Sequence, residues 1–247
     1  MRNKIVKNIL KTSFLNKEGH VASALSILDV MIVLFFNWLK PQDQFVLSKG
    51  HASLALYGVL LEKGEITEKE FYSFCQKESK LGGHPSSKKL NQVLLSTGSL
   101  GHGLPFCIGL ALAKKIKKED GKVYCIIGDG ESNEGTIWES ALAAYTYKLN
   151  NLVCIMDFNC SGERAIKLNT CIDKFKSFGW ETCLVEQGNN ENSIFKALSN
   201  LQDNELPKFI QLNTIKGFGC KIMENNPEWH HKFPSEEEYI EIINNLK

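Results

Sequence analysis

Short apolar runs closed by glycine or polar corners recur along the chain, and the stretches between them repeat apolar positions every three or four residues. The clearest case lies between Val123 and Asn159. An apolar run beginning at Val123 reads as a buried strand ending at Gly128-Asp129-Gly130. An Ala-rich segment from about Thr136 to Tyr147 has helix length, and a second apolar run ends near Asp157. Strand, helix and strand at that spacing make a βαβ unit with parallel strands.

The same reading extends in both directions. Ile5, Ile9, Leu10 and Phe14 share one helical face between Lys4 and Leu15. Ser23 is placed to cap an apolar helix reaching Leu34 or Trp38, and Pro41 stops it. A short strand from Gln44 to Leu47 precedes the corner Ser48-Lys49-Gly50-His51 and a helix from Ala52 to Leu61. Thr67 and Glu70 have capping-box spacing and open a helix to about Gln76. Residues 81–97 lack a period, with a brief strand expected at Val93-Leu94-Leu95. Further helices are expected at Leu104–Lys115, Ile172–Phe178, Asn192–Leu201 and Glu236–Leu246, with strands at Glu181–Glu186 and Phe209–Asn213. The pattern predicts one α/β domain spanning 1–247, its mostly parallel central sheet flanked by helices.

Ligands of such sheets bind beyond the carboxyl ends of the strands. Asp129 and Asn159 both fall just past strand ends, beside glycines that expose backbone N–H groups. Hard oxygen donors in that setting suit a divalent cation carrying a phosphate. A dinucleotide fingerprint fits poorly, since Asp129 lies between the two glycines, where its charge opposes a bare diphosphate. Five of the six histidines, His20, His51, His84, His102 and His230, occupy separate polar or glycine-marked corners, and His231 adjoins the last. Imidazoles in such loops can contact phosphate oxygens or exchange protons near neutral pH.

Composition narrows the picture a little. Lys and Arg total 29 against 28 for Asp and Glu, a net charge of +1 that gives no electrostatic argument for nucleic acid. Eight cysteines lack metal-knuckle spacing and suit buried thiols in a reducing compartment. No signal peptide is evident. The most apolar stretch, Ile27 to Leu39, contains Asp29 and Asn37 and reads as too short to span a bilayer. A cytoplasmic protein without a membrane or nucleic-acid partner is expected.

Gly128-Asp129-Gly130 followed by Asn159 matches the thiamine diphosphate motif, and the chain resembles the N-terminal subunit of split transketolases. The likeness extends through Gly19-His20, Val46 to Ser53, Gly83-His84-Pro85, Ser96 to Gly103, Glu134-Gly135, Lys216-Gly217, Glu224 and Trp229-His230. It implies a three-layer thiamine diphosphate-binding fold. It also implies Mg²⁺ or Ca²⁺ held by Asp129, Asn159 and the Ser161 carbonyl, with Gly128 and Gly130 at the diphosphate. By the same resemblance His51 and His230 lie near the diphosphate and thiazolium, and His20 and His84 face the sugar. Leu100 lies beside the aminopyrimidine, Glu134 lies in a carboxylate network at the subunit contact, and Trp229 packs.

The implied reaction transfers a two-carbon ketol unit from a ketose, expected to be phosphorylated, to an aldose through a thiamine diphosphate enamine. The activating glutamate and the pyrimidine pocket belong to the family's second domain, so an α2β2 assembly with a separate C-terminal subunit is expected. His102 where glutamine is common, His231 where glycine is common, and the corner Asn159-Cys160-Ser161-Gly162-Glu163-Arg164 depart from the usual pattern. His231 is expected to be a bystander. The α-subunit of a thiamine diphosphate-dependent 2-oxo acid dehydrogenase or decarboxylase shares the Gly-Asp-Gly logic and stands as the alternative. A non-catalytic cofactor-binding or regulatory subunit is a third.

Overall fold

Alternate residues of each central strand face opposite sides of one sheet, and this divides the interior into two apolar layers. Val123, Cys125 and Ile127 face one layer with Leu152, Cys154 and Met156, whereas Tyr124, Ile126, Val153 and Ile155 face the other. Nearly all of these side chains are fully buried, as strands covered on both faces require. The computed structural model describes residues 1–162 and 166–246.

The sheet contains β1 (Gln44–Leu47), β2 (Val123–Gly128), β3 (Leu152–Phe158), β4 (Glu181–Val185) and β5 (Lys208–Asn213). Its order is β1-β2-β3-β5-β4, and every pairing is parallel. The first layer of helices includes α1 (Arg2–Asn16), α2 (Val21–Ile32), α3 (Ser53–Glu62), α4 (Glu68–Tyr72), α8 (Glu191–Ser199) and α9 (Glu236–Asn245). The opposite layer is built from α5 (Gly103–Lys117), α6 (Gly135–Thr146) and α7 (Ile172–Ser177). The expected three-layer α/β arrangement is therefore present.

The element boundaries differ in physically instructive ways. Ser23 does not cap α2. The helix begins at Val21, because a backbone bridge between His20 and Lys232 fixes the turn, and Ser23 is buried inside it. The capping box of Thr67 and Glu70 is formed, but α4 ends at Tyr72. Val93-Leu94-Leu95 bends without forming a strand, and the nearby Thr97 hydroxyl donates to the Leu47 carbonyl at 2.9 Å, covering the outer edge of β1 through a side chain.

The apolar helix runs to Trp38, the farther of its two expected ends. α2 continues as a π-helical turn, Val33–Trp38, so Val21–Trp38 reaches the length and hydropathy of a membrane span. It is 78% buried inside the fold, where it forms the centre of one helical layer. Asp29 on this helix is neutralised by Arg2, whose Nε donates to Oδ1 at 3.0 Å.

Candidate active site

Four parallel strands, β1, β2, β3 and β5, deliver polar corners to the same edge of the sheet. Ser48-Lys49 follows β1, Asp129 follows β2, Asn159 follows β3, and Thr214 to Lys216 follows β5. These corners enclose a cavity of about 380 Å³. Beneath it, Lys49 and Asp157 form an ion pair with side chains only 2% and 1% exposed. Asp157 also accepts from Ser26 Oγ at 2.7 Å, from Asn159 Nδ2 at 2.8 Å, and from Thr214 Oγ1. One carboxylate near the end of β3 thus organises three corners.

Asp129 and Asn159 line the cavity together. Asp129 Oδ1 accepts from Gly130 N at 2.7 Å, and Oδ2 accepts from Gly162 N at 3.1 Å. Asn159 Oδ1 accepts from Ser161 N at 3.1 Å, while its amide nitrogen donates to Ser26 Oγ and Asp157. That amide orientation leaves a carbonyl oxygen, not a donor, on the side of the Ser161 turn. Burial raises the Asp129 carboxyl above the ordinary carboxylate range, and the nearby Asp157 adds to the rise, against the backbone N–H of Gly162. The two glycines pack backbone to backbone. A Cβ on Gly162 would lie 2.5 Å from both N and Cα of Gly130.

Glu131, which no local sequence signal marks, ties the cavity wall together. Its Oε1 accepts from Ser48 Oγ and from Gly101 N at 2.9 Å, and its Oε2 accepts from Gly128 N at 3.1 Å. Ser48 Oγ in turn accepts from Gly103 N at 3.1 Å. One side chain, 2% exposed, joins the β1 corner, the glycine loop before α5 and the end of β2. Burial raises its pKa, opposed by the Ser48 hydroxyl.

The dispersed histidines converge. The His20 ring lies 5.4 Å from that of His51, 6.2 Å from His84 and 5.6 Å from His230. His51 and His230 are 5.9 Å apart. Burial lowers the His51 pKa to about 2, with the Lys49 ammonium as the next cause, and lowers His20 to about 4 through burial and neighbouring imidazoles. His84 is lowered as well, first by burial. At neutral pH these three rings are uncharged hydrogen-bonding groups. The Lys216 ammonium lies 2.7 Å from His230 Nδ1, so that nitrogen accepts and the ring's proton is held on Nε2.

Of the candidate residues, His20, His51, His84, His230, Leu100, Gly128, Asp129, Gly130, Asn159 and Ser161 all line the cavity. Glu134 does not. It is exposed at the start of α6, its Cβ opposite Gly101. Trp229 is buried packing, with the Lys232 ammonium 4.4 Å from its ring centre. His102 is exposed outside the cavity. His231, expected to be a bystander, stacks on His20 at 4.4 Å. Glu163 and Arg164 lie outside the described residues.

A larger, open cavity of about 730 Å³ lies at the other end of the sheet, against Gln42, Lys122 and Asn151 before β1, β2 and β3. Its lining lacks the histidines and the glycine-flanked carboxylate. Chemistry belongs at the carboxyl edge.

The family model described as transketolase, thiamine diphosphate binding domain, matches residues 8–245. The chain is 38% identical to the A component of the apulose-4-phosphate transketolase of Actinobacillus succinogenes, covering 93% of this chain and 88% of the relative. It is 36% identical to the protein of the same description from Phocaeicola vulgatus, over 96% and 89% of the two. Human transketolase is 36% identical over 87% of this chain but only 36% of its own length. Among solved structures, Leishmania mexicana transketolase superposes with a TM-score of 0.87 at 24% identity, and Campylobacter jejuni transketolase with 0.80 at 26%. This chain spans 41% and 43% of those two chains, and 100% and 98% of it is covered. With the family's motif residues gathered at one strand edge, the chain belongs to the transketolase family as a thiamine diphosphate-binding domain.

Proposed function

We propose that this chain is the N-terminal subunit of a two-chain, thiamine diphosphate-dependent transketolase that moves a two-carbon ketol unit from a ketose to an aldose. Residues 1–247 act in this reading as one cofactor-binding domain. The supporting observation is the cavity in which Asp129 and Asn159 meet four histidines from separate segments. The near full-length match to two relatives that are themselves components of split enzymes supports a separate C-terminal partner, and an α2β2 assembly follows as the proposed stoichiometry. Those two relatives are named for a ketose 4-phosphate, so a phosphorylated ketose is the proposed donor class.

The donor chemistry fits a cation with a diphosphate. Among the described residues no cluster of three His, Cys, Asp or Glu side chains forms a metal site. The proposed set instead combines the Asp129 carboxylate, the Asn159 amide oxygen and the Ser161 backbone carbonyl, all hard oxygens of the kind Mg²⁺ or Ca²⁺ takes. The close Gly130–Gly162 contact leaves no room for a side chain at Gly162. Gly128 and the Gly130 N–H are assigned to the diphosphate, with His51 and His230 beside it. Leu100 is assigned to the aminopyrimidine, and His20 and His84 to sugar hydroxyls. Glu134, exposed in this chain, is assigned to the contact with the C-terminal partner.

When bound, thiamine diphosphate supplies the nucleophilic carbon and the electron sink for carbon–carbon cleavage. This chain's own part is to hold the diphosphate end, to present neutral imidazoles to hydroxyl groups, and to keep Lys49 and Asp157 paired beneath the site. Eight cysteines, several of them buried in the core, suit the reducing environment of the cytoplasm.

The test mixes this chain with its C-terminal partner and follows ketose–aldose exchange with thiamine diphosphate and Mg²⁺. Exchange should require both chains. Full activity from this chain alone, or 2-oxo acid decarboxylation by the pair, overturns the reading.

A further inference from the structure

His20 lines the cavity, yet the usual means of fixing an imidazole is missing. A hydrogen bond on one ring nitrogen normally sets the tautomer and plane that the other presents. His20 Nδ1 is buried and has no hydrogen-bond partner among the described residues. What holds the ring is another ring. His231 stacks on it with centroids 4.4 Å apart and planes 18° from parallel.

His231 is itself held. Its Nε2 lies 2.6 Å from Glu18 Oε1, which also accepts from Gly19 N at 2.9 Å. The carboxylate can only accept, so His231 Nε2 carries the proton. The His20–Lys232 backbone bridge brings the two segments into register, and Lys232 is anchored on Glu238 at 2.5 Å and over Trp229. The hydrogen bond from His231 is also the first cause of a lowered Glu18 pKa.

We propose that Glu18 and His231 form an orienting pair that positions His20 for the sugar, replacing the hydrogen bond its ring lacks. The pair rests on the reading of His20 as a sugar-facing residue. It acts through His20, so both are positioning residues. Truncating His231 to glycine frees the His20 ring to rotate and opens the stacked side to water. Truncating Glu18 leaves His231 stacked but unanchored.

Two measurements test this. In the assembled two-chain enzyme, His231→Gly should raise KM for the ketose by about tenfold, with kcat within about twofold, as expected when substrate positioning is lost without a change at the reacting centre. Affinity for thiamine diphosphate should be unchanged. His231→Phe, which keeps a stacking ring but loses the Glu18 contact, should fall between. Glu18→Ala should raise KM in the same direction, and the double variant Glu18→Ala/His231→Gly should be no worse than His231→Gly, the non-additivity of a shared pathway.

The second measurement is independent of turnover. Imidazole C2–H resonances of the full chain should report His20 titrating near pH 4. The groups acting on it are His51, His84, His230, His231 and Glu18. His231→Gly removes a neighbouring cation and part of the burial, so the His20 midpoint should move up by about one pH unit. Unchanged KM in the active variant complex, or an unmoved His20 titration, overturns the orienting pair. An inactive wild-type complex overturns the proposed reaction instead, and the titration then decides the pair alone.

Discussion

The Lys49 ammonium is paired with the Asp157 carboxylate beneath the cavity, and both side chains are almost wholly sealed from water. Breaking such a pair costs more than the pair is worth, because the survivor remains charged and buried. Lys49→Met should therefore lower stability by about 3–5 kcal/mol, and Asp157→Asn by a comparable amount. Urea denaturation of each variant measures this. The Asp157 change should be the more damaging to cofactor binding, since Ser26 Oγ and Asn159 Nδ2 donate to different carboxylate oxygens and the amide can accept from only one side. Stability within about 1 kcal/mol of wild type in both variants would count against the pair.

Glu131 predicts a different signature. Its two carboxylate oxygens accept three hydrogen bonds from three segments. Removing the acceptor strands buried donors, at about 1–3 kcal/mol for each left unpaired. Glu131→Ala should lower the unfolding free energy by several kcal/mol, on the order of 3. Glu131→Gln should not restore it, because one amide hydrogen must face a donor. Full recovery of the melting temperature by the Gln variant would show that shape, not acceptor count, matters at this position.

How much of this was legible in the chain depends on sequence distance. The apolar run Val123–Ile127 and the break at Gly128 were readable because a short apolar run and turn residues are local signals. Asp129 and Asn159 were readable because each follows its own strand. Glu131 and Asp157 were not, since both look ordinary locally and their roles come from distant partners. Asp157 meets Lys49 and Ser26 across 108 and 131 residues of sequence. The contacts of His231 are hidden in the chain for the same reason, because its partner Glu18 is 213 residues away. Ser23 failed differently, since the backbone at His20 had already set the helix start through a pairing no local pattern reveals.

Gly162 offers a steric test of the cation corner. An added Cβ would fall 2.5 Å from Gly130 N and Cα, and 2.9 Å from the Asp129 carbonyl carbon, all of them backbone. Backbone cannot rotate away as a long side chain can, so the two corners must separate. Gly162→Ala should weaken Mg²⁺-dependent cofactor binding by about tenfold or more, by analogy with loss of groups that orient metal ligands. Far-ultraviolet circular dichroism should be unchanged, because the contact lies outside the sheet. Calorimetric titration of the two-chain complex reads the affinity, and wild-type binding in the Ala variant would separate this contact from the site.

Asp129 yields the sharpest prediction, because stability and function should move oppositely. Its pKa is raised in the folded chain, chiefly by burial. The folded state thus holds this proton more tightly than the unfolded state does. The contribution is fully present below the unfolded carboxylate value near 3.8 and is lost as pH rises through the raised folded value. At neutral pH the free chain carries a buried carboxylate that a cation would compensate. Asp129→Asn should leave the ligand-free chain at least as stable as wild type at about pH 7, while losing the thermal stabilisation that Mg²⁺ and thiamine diphosphate give the two-chain complex. In wild type that ligand-induced rise should shrink as the pH falls toward the raised folded value, because protons compete with the metal. Melting curves with and without ligand, across that pH range, measure both effects. A variant that keeps the ligand-induced rise would remove Asp129 from the metal site; one that is destabilised without ligand would show that the carboxylate holds the corner together through its bonds to Gly130 and Gly162.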